Sequence, residues 1–416
     1  MERFVSLLGF IVFLSLAWLF STNRRAVRWR TVGWGIALQL ALAVMVIKTP
    51  IGFAAFHALG EGTRHFLDFS DAGARFVFGD AFTEHFFAFK VLPTIIFVSA
   101  AMTLLYYFGV LQRVVEGIGW VMMRTMRTSG AESLCGAANI FVGQTEAPLF
   151  IRPYVPRVTG SELHAVMAGG FATIAAGVMA VYISFGVPAV HLIAASVMAA
   201  PMALVVSKLL FPEEGEPETA GRAHAAVERP WVNAVDAAAS GATSGLKLAL
   251  NVGAMLIAFL ALLALVNALL GWLGGRVGVP QLSLEFLFSY VLWPVAWLMG
   301  IPVTDCGSVA VLLGKKTVLN EFIAYLDLKT FIDNAAAVAS GAQAAGSVSV
   351  ISPRSVVLST YALCGFANIG SIAIQIGGIG GLAPERQGDL ARLGVRAMLA
   401  GSLANFANAC VAGLLL

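Results

Sequence analysis

Long apolar stretches recur along this chain, separated by short polar or basic joints. Residues 5–22, 31–47, 91–112, 248–275, 355–384 and 397–416 contain no Asp, Glu, Lys or Arg. Each approaches or exceeds the roughly 20 helical residues that cross about 30 Å of hydrocarbon. Residues 165–207 are equally free of charge and long enough for two passes, with a turn near Gly186-Val187-Pro188. Three further segments carry spaced apolar residues among charges. Residues 50–84 hold a series of Phe, residues 111–127 hold Arg113, Arg124 and Arg127, and residues 284–298 come after the long sixth stretch. Such patterns predict amphipathic helices lying in the membrane interface.

Two segments break the pattern. Residues 129–156 are apolar but interrupted by Gly136, Gly143, Pro148 and Pro153, which suits a re-entrant helical hairpin better than a regular span. Residues 302–325 read the same way. Each is followed by a near-identical motif inside a long apolar stretch: Gly170-Phe171-Ala172-Thr173-Ile174 after the first, Gly365-Phe366-Ala367-Asn368-Ile369 after the second. Paired, glycine-interrupted hydrophobic segments in corresponding places of two halves mark the binding site of a secondary transporter.

The predicted fold is an all-α polytopic membrane protein with about eight transmembrane helices, two opposed re-entrant hairpins in an inverted-topology repeat, and interfacial amphipathic helices. Arg24, Arg25, Arg28 and Arg30 assign the first joint to the cytoplasmic side, which puts both termini outside. Glu61, Asp68, Asp71, Asp80 and Glu84 outnumber Arg64 and Arg75 in the following outer segment, consistent with that orientation. The first stretch lacks a small-residue cleavage site and reads as a retained helix, not a signal peptide. The chain divides into N-terminal scaffold helices (1–110), a first repeat (111–210), an inside loop with a long sixth span (211–275) and a second repeat (276–416).

Composition agrees. Hydrophobic residues make up 59% of the 416 residues and charged ones 12%, too few charges for the surface of a soluble protein, where about one-quarter is usual. The net charge of +3 is spread over short joints and forms no nucleic-acid surface. Cys135, Cys306, Cys364 and Cys410 lack the paired spacing of a disulfide framework or metal site.

Glu146 and Glu321 stand out in the two hairpins. A carboxylate at membrane depth costs roughly 2.5–3.5 kcal/mol on insertion scales and usually faces protein or water with a task. The structural alternative is an ion pair with Arg152, Lys315 or Lys316. Gln144, Thr145, Asn320, Asn368 and Ser371 add neutral hydrogen-bonding groups. Carboxamides, hydroxyls and carboxylates with few cations suit a neutral, polyhydroxylated substrate; phosphate or carboxylate ligands would want converging Arg or Lys. Phe366 sits in the expected break of its span, where its ring can line the pocket. Asn139 and Thr173 offer oxygens beside carbonyls freed by unwinding, as a hard cation such as sodium requires.

The segments 143–148, 320–325, 352–355 and 364–371 (GQTEAP, NEFIAY, SPRS and CGFANIGS) together resemble the concentrative nucleoside transporters, of the sodium-coupled bacterial type. The resemblance covers nearly the whole chain. It implies a homotrimer in the cell membrane, with a transport domain moving elevator-fashion against a trimerising scaffold. It also implies that Gln144, Thr145 and Glu146 contact the nucleobase with Val178 beside them. Glu321, Asn368 and Ser371 would hold the ribose, with Phe366 against the nucleoside. Sodium would take the side chains of Asn139 and Thr173 and the carbonyls of Ala168 and Ile174. No other cofactor and no catalytic residue is implied. Proton coupling through a hairpin carboxylate is the alternative within this class. A membrane-embedded enzyme using paired carboxylates is the rival from another; the chain shows no HExxH pair, nucleophile elbow or Asp-rich metal motif. A passive channel is disfavoured because opposed hairpins suggest an occluded midplane site.

Overall fold

Why the apolar stretches become helices is a matter of backbone chemistry: in hydrocarbon every N–H and C=O must be satisfied within the segment. The computed structural model describes residues 1–83, 86–221, 230–344 and 346–416, and these form helices and short turns with no strand among them. Glu84, counted for orientation, and residues 222–229 of the expected inside loop lie outside the described residues. The first two stretches are α1 (Glu2–Leu19) and α2 (Trp29–Lys48). The Phe-rich segment is α3 (Pro50–Asp68), capped by Thr49, whose hydroxyl accepts from Gly52 N at 3.0 Å, and α4 (Ser70–Phe78).

The third span, α5 (Leu92–Tyr107), is shorter than its apolar run. Gly109 turns the chain with φ 74° and the amphipathic α6 (Val110–Met126) begins at once. The first hairpin is helical only on entry, in α7 (Gly130–Ala138), which a Ser129/Glu132 capping box starts. Its return limb is two short 3₁₀ turns, Ala147–Ile151 and Val155–Arg157, not the predicted helix. Pro148, Pro153 and Pro156 supply no N–H, so an α-ladder cannot form there. Next come α8 (Gly160–Ala172) and α9 (Ala176–Ser184), one apolar run with a break, then α10 (Ala189–Leu210).

The sixth span belongs to a longer helix than predicted, α11 (Ala234–Arg276), of 43 residues. At 1.5 Å per residue it is about 65 Å long and outreaches a bilayer. The segment before the second hairpin is α12 (Leu284–Val291) and α13 (Trp293–Leu298). The hairpin itself is α14 (Cys306–Val318) and α15 (Glu321–Ala339); its return limb continues well past the predicted end at residue 325. The expected seventh span is divided into α16 (Pro353–Leu363) and α17 (Ile369–Gly380), and α18 (Gln387–Leu415) closes the chain. Among the described residues seven helical segments are long and apolar enough to cross a membrane, and the divided α16–α17 pair is not one of them.

Helices α8, α10 and α18 form the buried centre, while α1 and α11 leave most of their apolar surface uncovered. Side chains tie both hairpin bases to α18. Just before α18, Arg386 donates to the carbonyls of Pro156 (3.1 Å) and Val158 (2.8 Å) at the base of the first hairpin. Near the other end, Arg354 donates to Gly413 O (2.7 Å) and Gly300 O (3.1 Å) beside the base of the second. The two bases therefore lie at opposite ends of α18. The Arg-rich joint belongs to the first end, where Thr22 N donates to Leu210 O at 3.0 Å.

Candidate functional site

The two GFA(T/N)I motifs are the two helix breaks. After α8, Thr173 (φ −123°, ψ 167°) and Ala175 (φ −69°, ψ 147°) are extended; after α16, Asn368 (φ −137°, ψ 163°) is extended before α17 begins. The extended segments meet, Phe366 N donating to Thr173 O at 3.2 Å. Gly365 is needed at this crossing, because a Cβ there would stand 2.5 Å from Phe171 O. Phe366 is half-buried beside the crossing.

Both hairpin tips reach the breaks. At the second tip Asn320 caps α15, its Oδ1 accepting from Ile323 N at 3.0 Å, and Glu321 occupies the first helical position. Glu321 is 5% exposed. Its Oε1 accepts from the Tyr182 hydroxyl at 3.1 Å and its Oε2 from Asn368 Nδ2 at 3.2 Å. Asn368 Oδ1 in turn accepts from Ser371 N (2.8 Å) and caps α17. Gln144 of the first tip donates to Ser371 Oγ at 3.3 Å and accepts from Gln375 Nε2 at 3.0 Å, while Gln375 also donates to Met167 O at 3.1 Å. One polar chain thus links both tips and both broken helices inside an apolar molecule. Thr145 packs on Gly378 of α17, where a Cβ would lie 2.6 Å from its methyl. Glu146 is accessible, its carboxylate folded over Gly143. Gly143 lies beside Ala175, and the buried Val178 comes three residues later.

Among the described residues neither Lys315 nor Lys316 pairs with Glu146 or Glu321. Lys316 donates to Ala362 O at 2.8 Å, and Lys315 pairs with Asp327 (2.8 Å) and Glu285 (3.2 Å). Among the described residues no cation lies within ion-pairing distance of Glu146 or Glu321.

Asn139, at the end of α7, is 1% exposed, and its side-chain oxygen has no hydrogen-bond partner. Its amide nitrogen lies beside Gly169, whose carbonyl accepts from Thr173 Oγ1 at 2.9 Å. Ala168 precedes that glycine. Ile174 O, in the break, accepts no hydrogen bond among the described residues. An orphaned buried oxygen, a hydroxyl and a freed carbonyl on facing segments form an oxygen donor set suited to a small hard cation. Among the described residues no three His, Cys, Asp or Glu gather as a metal cluster, and all four cysteines are free.

Three participants were not singled out from the sequence. Tyr182 holds Glu321 and stacks on Tyr325 with ring centroids 4.0 Å apart. Gln375 was detectable, since Asn368, Ser371 and Gln375 at spacings of three and seven share a helix face. Asn405 of α18 is fully buried against Gly365 with neither amide atom hydrogen-bonded.

Comparisons with known proteins agree with this architecture. The family description "Na+ dependent nucleoside transporter C-terminus" matches residues 191–413, "Na+ dependent nucleoside transporter N-terminus" matches 8–81, and "Nucleoside recognition" matches 88–189. The chain is 48% identical over 424 residues to "Sodium/nucleoside cotransporter 1" of Sus scrofa, covering 100% of this chain and 64% of that protein. It is 47% identical over 417 residues to "Solute carrier family 28 member 3" of Eptatretus stoutii, covering 100% and 61%. The chain thus spans less than two thirds of the length of these relatives. It is similar to the solved structure of CNTnw in an inward-facing substrate-bound state (TM-score 0.91, 40% identity, 100% of this chain and 98% of that one). It is equally similar to a substituted CNTnw in an outward-facing state (TM-score 0.93, 40% identity, 100% and 99%). With more than half of its length matched by a single family description, and most of the remainder by its companions, the chain belongs to the Na+ dependent nucleoside transporter family.

Proposed function

We propose that this chain is a sodium-coupled symporter that imports nucleosides across a cell membrane by alternating access. The observation that carries the reading is the polar chain joining Gln144, Ser371, Asn368, Glu321 and Tyr182, next to the unpaired oxygen of Asn139. Glu321, Asn368 and Ser371 take the ribose hydroxyls, and a nucleoside replaces part of their mutual hydrogen bonding. Gln144, Thr145 and Glu146 read the base, with Val178 beside them and Phe366 against the nucleoside. Asn139, Thr173 and the carbonyls of Ala168 and Ile174 hold sodium. The ion braces the first hairpin against α8 and so favours the hairpin shape that grips substrate.

Two hairpin-and-broken-helix units with bases at opposite ends of α18 support an inverted repeat of eight spans and two re-entrant hairpins. Residues 111–210 and 276–416 form the transport domain. Residues 1–110 and 211–275 form the scaffold of a homotrimer, and the transport domain moves against it as an elevator. The Arg-rich joint faces the cytoplasm and both termini face outward.

Linkage supplies the test. If sodium tightens nucleoside binding, nucleoside must tighten sodium by the same factor. Calorimetric titration of purified protein with uridine in sodium and in choline buffer should show tight binding only with sodium. Asn139→Ala and Thr173→Ala should each raise the sodium needed, and Thr173→Ser much less, because it keeps the hydroxyl. Uridine affinity that is indifferent to sodium would remove the coupling assignment and leave the proton alternative.

A further inference from the structure

The charged end of α18 carries a groove that transport chemistry does not use. It measures about 770 Å³ and runs between Phe20 beyond α1, Leu210 and Phe211 at the end of α10, and the first turns of α18. Three arginines border it. Arg386 is already committed, to Asp389 at 2.8 Å and to the carbonyls of the first hairpin base. Arg392 and Arg396 are not: among the described residues neither guanidinium has an acidic or hydrogen-bonding partner. Four residues apart, they share one face of the helix.

Apolar side chains line the rest of the groove. Val395 and Leu399 are 57% and 51% exposed there, and Phe20 opposite is 66% exposed. Leu399 lies about 10 Å further toward the middle of the helix than Arg392, at 1.5 Å per residue. Along the helix Val395 lies between the two unpaired cations and Leu399 lies inward of both, so the lining ends toward the middle of the helix in an aliphatic side chain, with Phe20 across the groove. That is the order of groups in a phospholipid, phosphate at the surface and acyl chain toward the bilayer centre. A small hydrated anion would have no use for these apolar side chains, and a neutral lipid none for the uncompensated pair of charges.

We propose that this groove is a binding site for an anionic phospholipid, with its phosphate between Arg392 and Arg396 and one acyl chain along Val395 and Leu399 against Phe20. Basic pockets between membrane helices recognise such headgroups by charge. The site needs only that the chain spans a membrane. Since Phe20 comes directly after α1 and the rest of the lining lies on or next to α8, α10 and α18, the lipid bridges two parts of the fold.

Native mass spectrometry of the full chain in mild detergent tests the proposal, using phosphatidylglycerol and phosphatidylcholine of identical chain length. Phosphatidylglycerol should be retained preferentially, and the preference should fall roughly fivefold for each arginine removed, at about 1 kcal/mol per basic residue. Arg392→Ala/Arg396→Ala should abolish it while the melting shift induced by uridine persists; if that variant does not fold, Arg392→Gln/Arg396→Gln serves the same purpose. Arg392→Lys/Arg396→Lys should keep most of the preference. Equal retention of the two lipids, or undiminished preference in the neutral variants, would overturn the site. Displacement of phosphatidylglycerol by millimolar inorganic phosphate would overturn it too, by showing that the cations bind a free anion.

Discussion

Glu321 has both oxygens occupied by neutral donors and, among the described residues, no cation within ion-pairing distance, although it is almost fully buried. Its position at the start of α15 helps, because helix N-termini favour negative charge. Removing one partner from a buried charged network costs about 1.5–3 kcal/mol, equivalent to a tenfold or greater loss of affinity. Glu321→Gln should therefore weaken uridine binding at least about tenfold, and Tyr182→Phe, which removes one donor to the same carboxylate, should do less harm. The two effects belong to ribose recognition only if they depend on the sugar. For 3′-deoxyuridine, already lacking a hydroxyl, the cost of Glu321→Gln should shrink, as interacting groups in a mutant cycle require. Equal losses for both nucleosides would make Glu321 a structural residue. Glu321, Asn368 and Ser371 were legible because polar groups at membrane depth are rare. Tyr182 was not, since one hydroxyl in an apolar helix gives no sign until its neighbour across the fold is known.

Among the elements, the hairpins were legible as interruptions and their internal form was not. Glycines and prolines in 129–156 showed that no regular span could form, but not that the return limb would be 3₁₀ turns. Conversely, nothing in the sequence stops α15 at residue 325, since its break lies at Leu319 and Asn320 and good helix formers come after it. The base of the second hairpin offers an independent test of how these elements are held. Asp305 accepts from Ser355 Oγ (2.6 Å), Ser352 N (2.9 Å) and Thr304 Oγ1 (3.0 Å), fastening α14 to the start of α16. Burial alone would raise its pKa, but these hydrogen bonds hold the carboxyl below the usual carboxylate range. A lowered folded-state pKa stabilises the protein above the ordinary value near 3.9 and is lost as the pH falls through the folded one. Asp305→Ala should thus cost about 1–3 kcal/mol at neutral pH, seen as a lower melting temperature in detergent. The gap to the wild type should narrow as the pH falls below about 4. A gap independent of pH would mean the carboxylate's charge does not hold the hairpin.

At the scale of the whole molecule, the internal repeat was the most informative signal in the chain. Two copies of GFA(T/N)I, 195 positions apart, become two helix breaks in contact, and each receives one hairpin tip. Which helices surround them depends on contacts between distant segments: α18 running between both hairpin bases has no local mark in its sequence. If the proposed account is right, sodium and nucleoside stabilise one arrangement of this centre together, and neither moves freely without the other. Uptake by the purified protein in sealed liposomes tests that coupling most directly. Labelled uridine should accumulate above its external concentration under an inward sodium gradient and stop when choline replaces sodium or the gradient is collapsed. Accumulation that persists in choline and tracks an inward proton gradient would contradict the account and transfer the coupling role to Glu146 and Glu321.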